Sequence, residues 1–246
     1  MMKIALFSDI HANLHAFEAM LKDMDSQRPD AVYCLGDLVG YHIYPNEVID
    51  EIRRRGIPTL KGNHDEKVEN LITTPESLNE PGKKYAYHLI REDNRDYLKT
   101  LPASIKLEFK FNGEKLNIVF AHGSTRKIDE YVLIDTDEHY VMGMMEEADA
   151  DVLFVGHSHK PYHRTIQTDK GRFKHVVNLG SVGKPKDGDY RGCYVLLTII
   201  ENNSTSISNS IQLEFRRVEY DMEASAKSIE DSLLPNEVAQ ALRISK

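Results

Sequence analysis

The chain has 246 residues, with 31 Lys and Arg against 39 Asp and Glu for a net charge of −8, and 41% of it is hydrophobic. Charges of both signs make up 28%, which describes an ordinary globular protein and excludes disordered or collagen-like chains. The acidic balance argues against an extended nucleic-acid surface, whose affinity comes from many Lys and Arg meeting phosphates.

Two further exclusions come from apolar patterning. Cys34 and Cys193 each lie in an apolar run and read as buried thiols of a reducing compartment, not as a disulfide framework. The run Ile4 to Phe7 is too short for a signal-peptide core, and Tyr194 to Ile200 falls far below the roughly 20 residues of a membrane span. A cytoplasmic protein without membrane attachment is expected.

In chain order, Lys3 to Ser8 predicts a buried strand, and Leu14, Phe17, Leu21 and Met24 recur at helical spacing. Ala31 to Leu35 predicts a second strand. Pro45 suits a helix first turn, Val48, Ile49 and Ile52 its apolar face, and Gly56 its C-terminal cap. Ile57 to Leu60 predicts a third strand. This β-α-β-α-β order implies parallel neighbours, and ligands then bind beyond the carboxyl ends of the strands. Residues 73–100 are polar and helical in pattern, interrupted at Asn79-Glu80-Pro81-Gly82 and closed by Leu101-Pro102. They could form a small cap over a site.

After Pro102 the pattern changes to period two: Ile105, Leu107, Phe109 and Phe111, then Asn112-Gly113, then Leu116, Ile118 and Phe120. Asn-Gly between alternating runs is a hairpin signal. A helix over about 136–148, a buried strand Val152 to Val155 and a hairpin turning near Asp169-Lys170-Gly171 come next. Strands near Cys193 to Ile200 and Ile211 to Val218 precede a helical end from Met222 to Ile244, broken at Pro235. The order fits an α/β fold of two mixed sheets packed as a sandwich and flanked by helices. No repeat or linker marks a boundary, so residues 1–246 read as one domain.

The chemistry-bearing residues follow the predicted strands. Asp9-Ile10-His11 comes after the first, Gly36-Asp37-Leu38-Val39-Gly40 after the second, and Gly62-Asn63-His64-Asp65 after the third. Later runs deliver His122-Gly123 and Gly156-His157-Ser158-His159. In an extended segment residues two apart project to one side, so Asp9 with His11, and His157 with His159, can converge. Carboxylate, imidazole and amide donors without thiolate suit Mn, Fe, Zn or Ni. They are too many for one tetrahedral ion and enough for two sharing a bridging carboxylate, an arrangement that clamps a phosphorus centre during in-line displacement.

At these five blocks the sequence resembles the calcineurin-like metallophosphoesterase superfamily, and Asn178-Leu179-Gly180-Ser181-Val182-Gly183 with Asp187-Gly188-Asp189 and Arg191 is similar to its compact bacterial and archaeal phosphodiesterase branch. That branch often has Pro where Leu179 stands, a departure that leaves the metal ligands untouched. The resemblance implies an α-β-β-α fold and two divalent ions, with manganese favoured and iron, zinc or nickel as alternatives. It implies that Asp9, His11 and His159 hold the first ion, Asn63, His122 and His157 the second, and Asp37 both. His64 would protonate the leaving oxygen or stabilise its charge as a hydroxide held between the ions attacks in line. Arg191 is a candidate for gripping a second phosphate, although an Arg–Asp loop brace is the competing reading.

The expected activity is hydrolysis of a phosphodiester in a small phosphorylated substrate, such as a nucleotide or dinucleoside polyphosphate. A phosphoprotein phosphatase is disfavoured, because Gly40 follows Val39 directly and Asp65 stands where those relatives carry Glu. A non-catalytic scaffold is disfavoured because none of the seven inferred ligands is missing.

Overall fold

The computed structural model describes residues 1–111, 114–168, 172–200 and 210–246. The expected turns at Asn112-Gly113 and Asp169-Lys170-Gly171 lie outside them. Two sheets form the centre. One is built from β1 (Met2–Phe7), β2 (Ala31–Cys34), β8 (Gly192–Ile199) and β9 (Ile211–Val218), ordered β2-β1-β8-β9. The other contains β3 (Ser104–Phe111), β4 (Glu114–Ala121), β5 (Val152–Val155), β6 (Tyr162–Gln167) and β7 (Phe173–Asn178), ordered β3-β4-β5-β7-β6. Both are mixed: β1 pairs parallel with β2 but antiparallel with β8, and β5 is parallel to β4 and β7 while β6 returns antiparallel.

Alternation sorts the apolar side chains into layers. Ile4 and Leu6 of β1 meet Val195 and Leu197 of β8 and, from the facing sheet, Ile118, Phe120, Val152 and Phe154. The intervening Ala5 and Phe7 point the other way, onto Phe17, Met20 and Met24 of α1 (Leu14–Gln27) and Val48, Ile49 and Ile52 of α2 (Pro45–Arg55). On the opposite flank Leu153 and Val155 pack against Met144 and Met145 of α6 (Glu138–Glu147). A strand covered on both faces reads as a continuous apolar run, which is why β1 and β5 are conspicuous in the sequence.

Two details differ from expectation. Ile57 to Leu60 forms no strand, only an isolated parallel bridge between Cys34 and Thr59. Pro58 has no N–H to give, so pairing stops after Cys34 N–H donates to the Pro58 carbonyl and Leu60 N–H to that of Cys34. Residues 73–100 are more broken than their pattern suggests, holding a 3₁₀ turn at Ser77–Asn79, the short α4 (Tyr85–His88) and α5 (Glu92–Lys99). As the pattern predicts, the C-terminal part divides at Pro235 into α7 (Met222–Glu230) and α8 (Asn236–Arg243), with Pro235 as the N-cap of the latter. One further short helix, α3 (Asn63–Glu66), opens inside the third motif. Both cysteines are buried and free. Among the described residues no helix is long and apolar enough to cross a membrane.

Candidate metal centre

The loops at the carboxyl ends of β1, β2, β4 and β5 meet at one end of the sandwich. There Asp9, His11 and His159 bring donor atoms within 4.8 Å of one another, as do Asp37, His122 and His157. Asn63 joins the second set, its Oδ1 3.2 Å from His122 Nε2. All seven residues named as ligands from the sequence are therefore together. His64 lies beside them, its ring 4.9 Å from that of His11.

The route to this convergence is not the one expected. Asp9, His11, Asp37, His157 and His159 all have positive φ, between 52° and 63°, so neither Asp-x-His nor His-x-His is extended. His157 and His159 consequently serve different sets. Left-handed backbone is uncommon outside glycine, though Asp and His tolerate it better than most, and each such residue stores of order 1–3 kcal/mol.

The hydrogen bonds fix the chemistry offered. A backbone carbonyl can only accept, so an imidazole nitrogen beside one must carry the proton. His11 Nδ1 donates to Val39 O at 2.9 Å, His122 Nδ1 to Leu35 O at 2.7 Å, and His159 Nδ1 to Lys184 O at 2.5 Å. Each ring thus turns Nε2 to the cluster, the nitrogen that is bare whenever the ring is neutral. His157 is reversed: Nε2 donates to Asp129 O at 3.1 Å, leaving Nδ1. This is how metal-binding histidines are oriented by a partner on the other nitrogen.

The two carboxylates are split in the same manner. Asp9 Oδ2 accepts from His157 N–H at 3.0 Å and Asp37 Oδ1 from His64 N–H at 2.7 Å. Asp9 Oδ1 and Asp37 Oδ2 are buried without a hydrogen-bond partner. Such a group costs several kcal/mol if left alone. The orphaned Asp9 Oδ1 is 3.2 Å from His159 Nε2 and 3.6 Å from His11 Nε2, and those two nitrogens are 3.1 Å apart. Asp37 Oδ2 stands 3.6 Å from His11 Nε2 and 3.4 Å from His122 Nε2, which places it between the sets. Donors that each sit about 2.0–2.2 Å from one ion are necessarily roughly 3–3.5 Å from each other. The residues fit divalent ions.

Electrostatics agree. Burial pushes the Asp9 and Asp37 carboxyls up, but His159 and His11 beside the first and His122 beside the second more than offset it, leaving both below the usual carboxylate range. Burial lowers His159 to about 4 and His64 to about 3. Burial pulls His122 down as well, but Asp37, Asp9 and the Leu35 carbonyl together more than offset it and raise it to about 10. Asp65, fully buried, is raised to about 7 by burial and by Asp37, against the pull of the Gly62 and Asp37 backbone N–H groups and of His122. Its oxygens accept from Asp37 N–H at 2.8 Å, Leu38 N–H at 2.9 Å and Gly62 N–H at 2.9 Å. It staples the Gly36 to Gly40 loop to α3.

Gly40 shows how little room the loop has. With φ at +89°, a Cβ there would stand 2.5 Å from His64 Nδ1.

Arg191 is engaged within its own loop. Its guanidinium forks Asp189, with Nη2 to Oδ2 at 2.7 Å and Nε to Oδ1 at 3.0 Å, so it braces its own loop. Arg126 likewise forks Glu147. Sequence reasoning missed the residues that surround this cluster. Tyr41 packs at 4.7 Å from the His11 ring, Tyr131 stacks at 4.3 Å on His157, and Tyr87 reaches His64. Lys186, half-buried, adjoins the cluster, its backbone N–H donating to the His159 carbonyl at 3.3 Å. Nothing in local spacing marks these four, although Tyr41 directly follows the Gly36 to Gly40 block.

A two-sheet sandwich with a carboxylate–imidazole cluster at its strand ends is the architecture of the metallophosphoesterases. The chain belongs to the calcineurin-like phosphoesterase superfamily, whose domain model matches residues 2–202. It is 31% identical to an uncharacterised protein of Methanocaldococcus jannaschii over 261 aligned positions, covering 97% of this chain and 96% of that one. Among solved structures it is similar to a metallophosphoesterase from Sphaerobacter thermophilus, with 25% identity, a TM-score of 0.78, and 100% and 99% of the two chains covered. A hypothetical protein from Pyrococcus horikoshii shares the fold, at 23% identity, a TM-score of 0.77 and 98% of each chain.

Proposed function

We propose that the protein is a dinuclear-metal phosphodiesterase acting on small phosphorylated substrates, with Mn²⁺ as the favoured ion and iron, zinc or nickel as alternatives. The observation that carries this reading is Asp37: its unpartnered Oδ2 stands 3.6 Å from a nitrogen of one donor set and 3.4 Å from a nitrogen of the other. Asp9, His11 and His159 would hold one ion, Asn63, His122 and His157 the second, and Asp37 both. Two such ions supply an activated water at neutral pH and neutralise charge on the phosphoryl oxygens.

The protein's own groups do the rest. The His64 ring lies at the edge of the cluster against His11 and Tyr41, where it meets the oxygen that leaves phosphorus. The carbonyls of Val39, Leu35 and Lys184 hold three ligand rings so that little reorganisation is needed when charge develops. Lys186 is better placed than Arg191 to meet a phosphoryl oxygen, since Arg191 is committed to Asp189.

A rate panel with Mn²⁺ tests the reading, using a phosphomonoester, a phosphodiester, a cyclic nucleotide and a dinucleoside polyphosphate. Preference for a diester or polyphosphate by more than about tenfold, or roughly 1.4 kcal/mol in transition-state binding, is the expected result. Preference for the monoester would make the protein a phosphatase, and no metal-dependent turnover on any of the four would refute catalysis of this kind.

A further inference from the structure

Tyr87 belongs to none of the sequence motifs, yet its hydroxyl lies 2.5 Å from His64 Nδ1 and the two rings stack at 5.9 Å. Its backbone is firmly held. Arg95 of α5 donates to the Tyr87 carbonyl at 2.7 Å, to that of Ile90 at 2.9 Å and to that of Leu71 at 3.2 Å. The preceding residue, Ala86, is buried in the core shared with α7 and α8. The phenol is thus a fixed partner of His64, delivered by the 73–100 segment.

A phenol–imidazole hydrogen bond can run either way. A phenol O–H is a stronger donor than a neutral imidazole N–H, and an imidazole nitrogen a stronger acceptor than a phenol oxygen, so the bond runs from Tyr87 to His64 Nδ1. With the phenol as donor both groups are satisfied. Burial and the nearby Asp37 charge also hold Tyr87 in its protonated form. A neutral imidazole that accepts at Nδ1 carries its hydrogen on Nε2.

Resting on the phosphoesterase reading above, the geometry points to Tyr87 as a positioning residue that fixes His64 as the neutral Nε2–H tautomer, so that His64 serves the leaving oxygen as a hydrogen-bond donor and not as a source of a transferred proton. A neutral ring that gave up its proton would become an imidazolate, whereas a donated hydrogen bond stabilises the developing charge without any transfer. The same bond keeps His64 off the metals. His64 forms a third donor set with His11 and Asp37, but with Nδ1 capped by the phenol and Nε2 protonated, neither nitrogen presents a lone pair to an ion.

The test is a long-range ¹H–¹⁵N correlation spectrum of protein incubated with Zn²⁺, a diamagnetic ion, with His64 assigned from its loss in His64→Asn. The wild type should show Nε2 protonated and Nδ1 not. Tyr87→Phe keeps the stacked ring, removes only the hydroxyl, and should give a mixture of the two neutral tautomers. Protonation of Nδ1, or of both nitrogens at neutral pH, in the wild type would overturn the assignment, so the result does not depend on the variant's folding. An unchanged spectrum in Tyr87→Phe would overturn it equally. In turnover, Tyr87→Phe should lower kcat about tenfold on a diester with an alkyl leaving group and less than about twofold on its p-nitrophenyl counterpart, whose leaving oxygen needs little help. Equal losses on both would count against it. A wild type that cleaves neither substrate would refute the phosphoesterase reading, while the spectrum would still decide the hydrogen bond.

Discussion

Asp37 shows how a single side chain can be committed twice. One oxygen receives the His64 N–H and positions α3, and the other is left bare between His11 and His122. Asp37→Asn preserves shape and suits positive φ, since Asn is among the residues that tolerate it, but it removes the charge. We expect Mn²⁺ affinity measured by calorimetry to fall at least about tenfold, as for other carboxylates that orient or bind metals, and most turnover to vanish. Near-wild-type turnover of the metal-loaded variant would contradict the mechanism. A second comparison separates the two cations. Lys186→Ala should raise KM several-fold at low salt, whereas Arg191→Ala should leave KM within about twofold, because its guanidinium is already engaged by Asp189. The candidate metal ligands are legible in the sequence because chemistry restricts residue type at each position. Lys186, Tyr87 and Asp65 were not assigned roles, because theirs come from contacts across the fold; the Tyr87–His64 bond spans 23 residues and the Asp65–Asp37 bond 28.

Among the elements, α3 and the loop after β2 form one unit through Asp65. Its carboxylate accepts three backbone N–H groups, so Asp65→Asn turns an amide donor toward donors. A buried hydrogen bond lost in this way costs about 1–3 kcal/mol. The variant should melt several degrees lower, with weakened Mn²⁺ binding because Asp37 and Asn63 lose their common anchor. Unchanged melting and unchanged metal affinity would show that the staple is dispensable. The strands that bury both faces are readable from the sequence, since β1, β5 and β8 each carry a continuous apolar run of at least four residues. The segment Ile57 to Leu60 has the same composition, but Pro58 limits it to one bridge. Composition registers burial, and it does not register whether a backbone can pair. Residues 73–100 were read as polar helix with an open role. Their structure comes from Arg95 bonding nearby carbonyls, and from the long-range pairings of Arg53 with Asp93 and Arg91 with Asp50, none of which leaves a period behind.

The whole molecule is a sandwich whose flanking helices are joined to the sheets by apolar contact and by a few polar ties. One such tie joins α1 to β8 and β9: Arg216 forks Asp23 at 2.7 and 2.9 Å, and Tyr194 donates to the same carboxylate at 2.7 Å. Arg216, ahead of the partial burial that opposes it, holds the Asp23 carboxyl below its ordinary 3.8. A depressed carboxyl stabilises the fold fully above its unfolded pKa and loses that contribution as pH falls through the folded value. Arg216→Met should therefore destabilise by about 1 kcal/mol at pH 7, a value reduced for the pair's partial exposure. Urea titrations should show the difference from wild type shrinking below about pH 3.8; an equal difference at pH 7 and pH 3 would contradict it. At the same scale, an acidic chain of net charge −8 gathers two unpartnered carboxylate oxygens at one end of the sandwich, where divalent ions would turn a negative pocket into one that attracts phosphate. An anomalous-difference map from crystals grown with Mn²⁺ tests that account most directly. It should show two peaks per chain, one among Asp9, His11 and His159, the other among Asn63, His122 and His157, with Asp37 touching both. A single peak, or none in a folded protein, would contradict it.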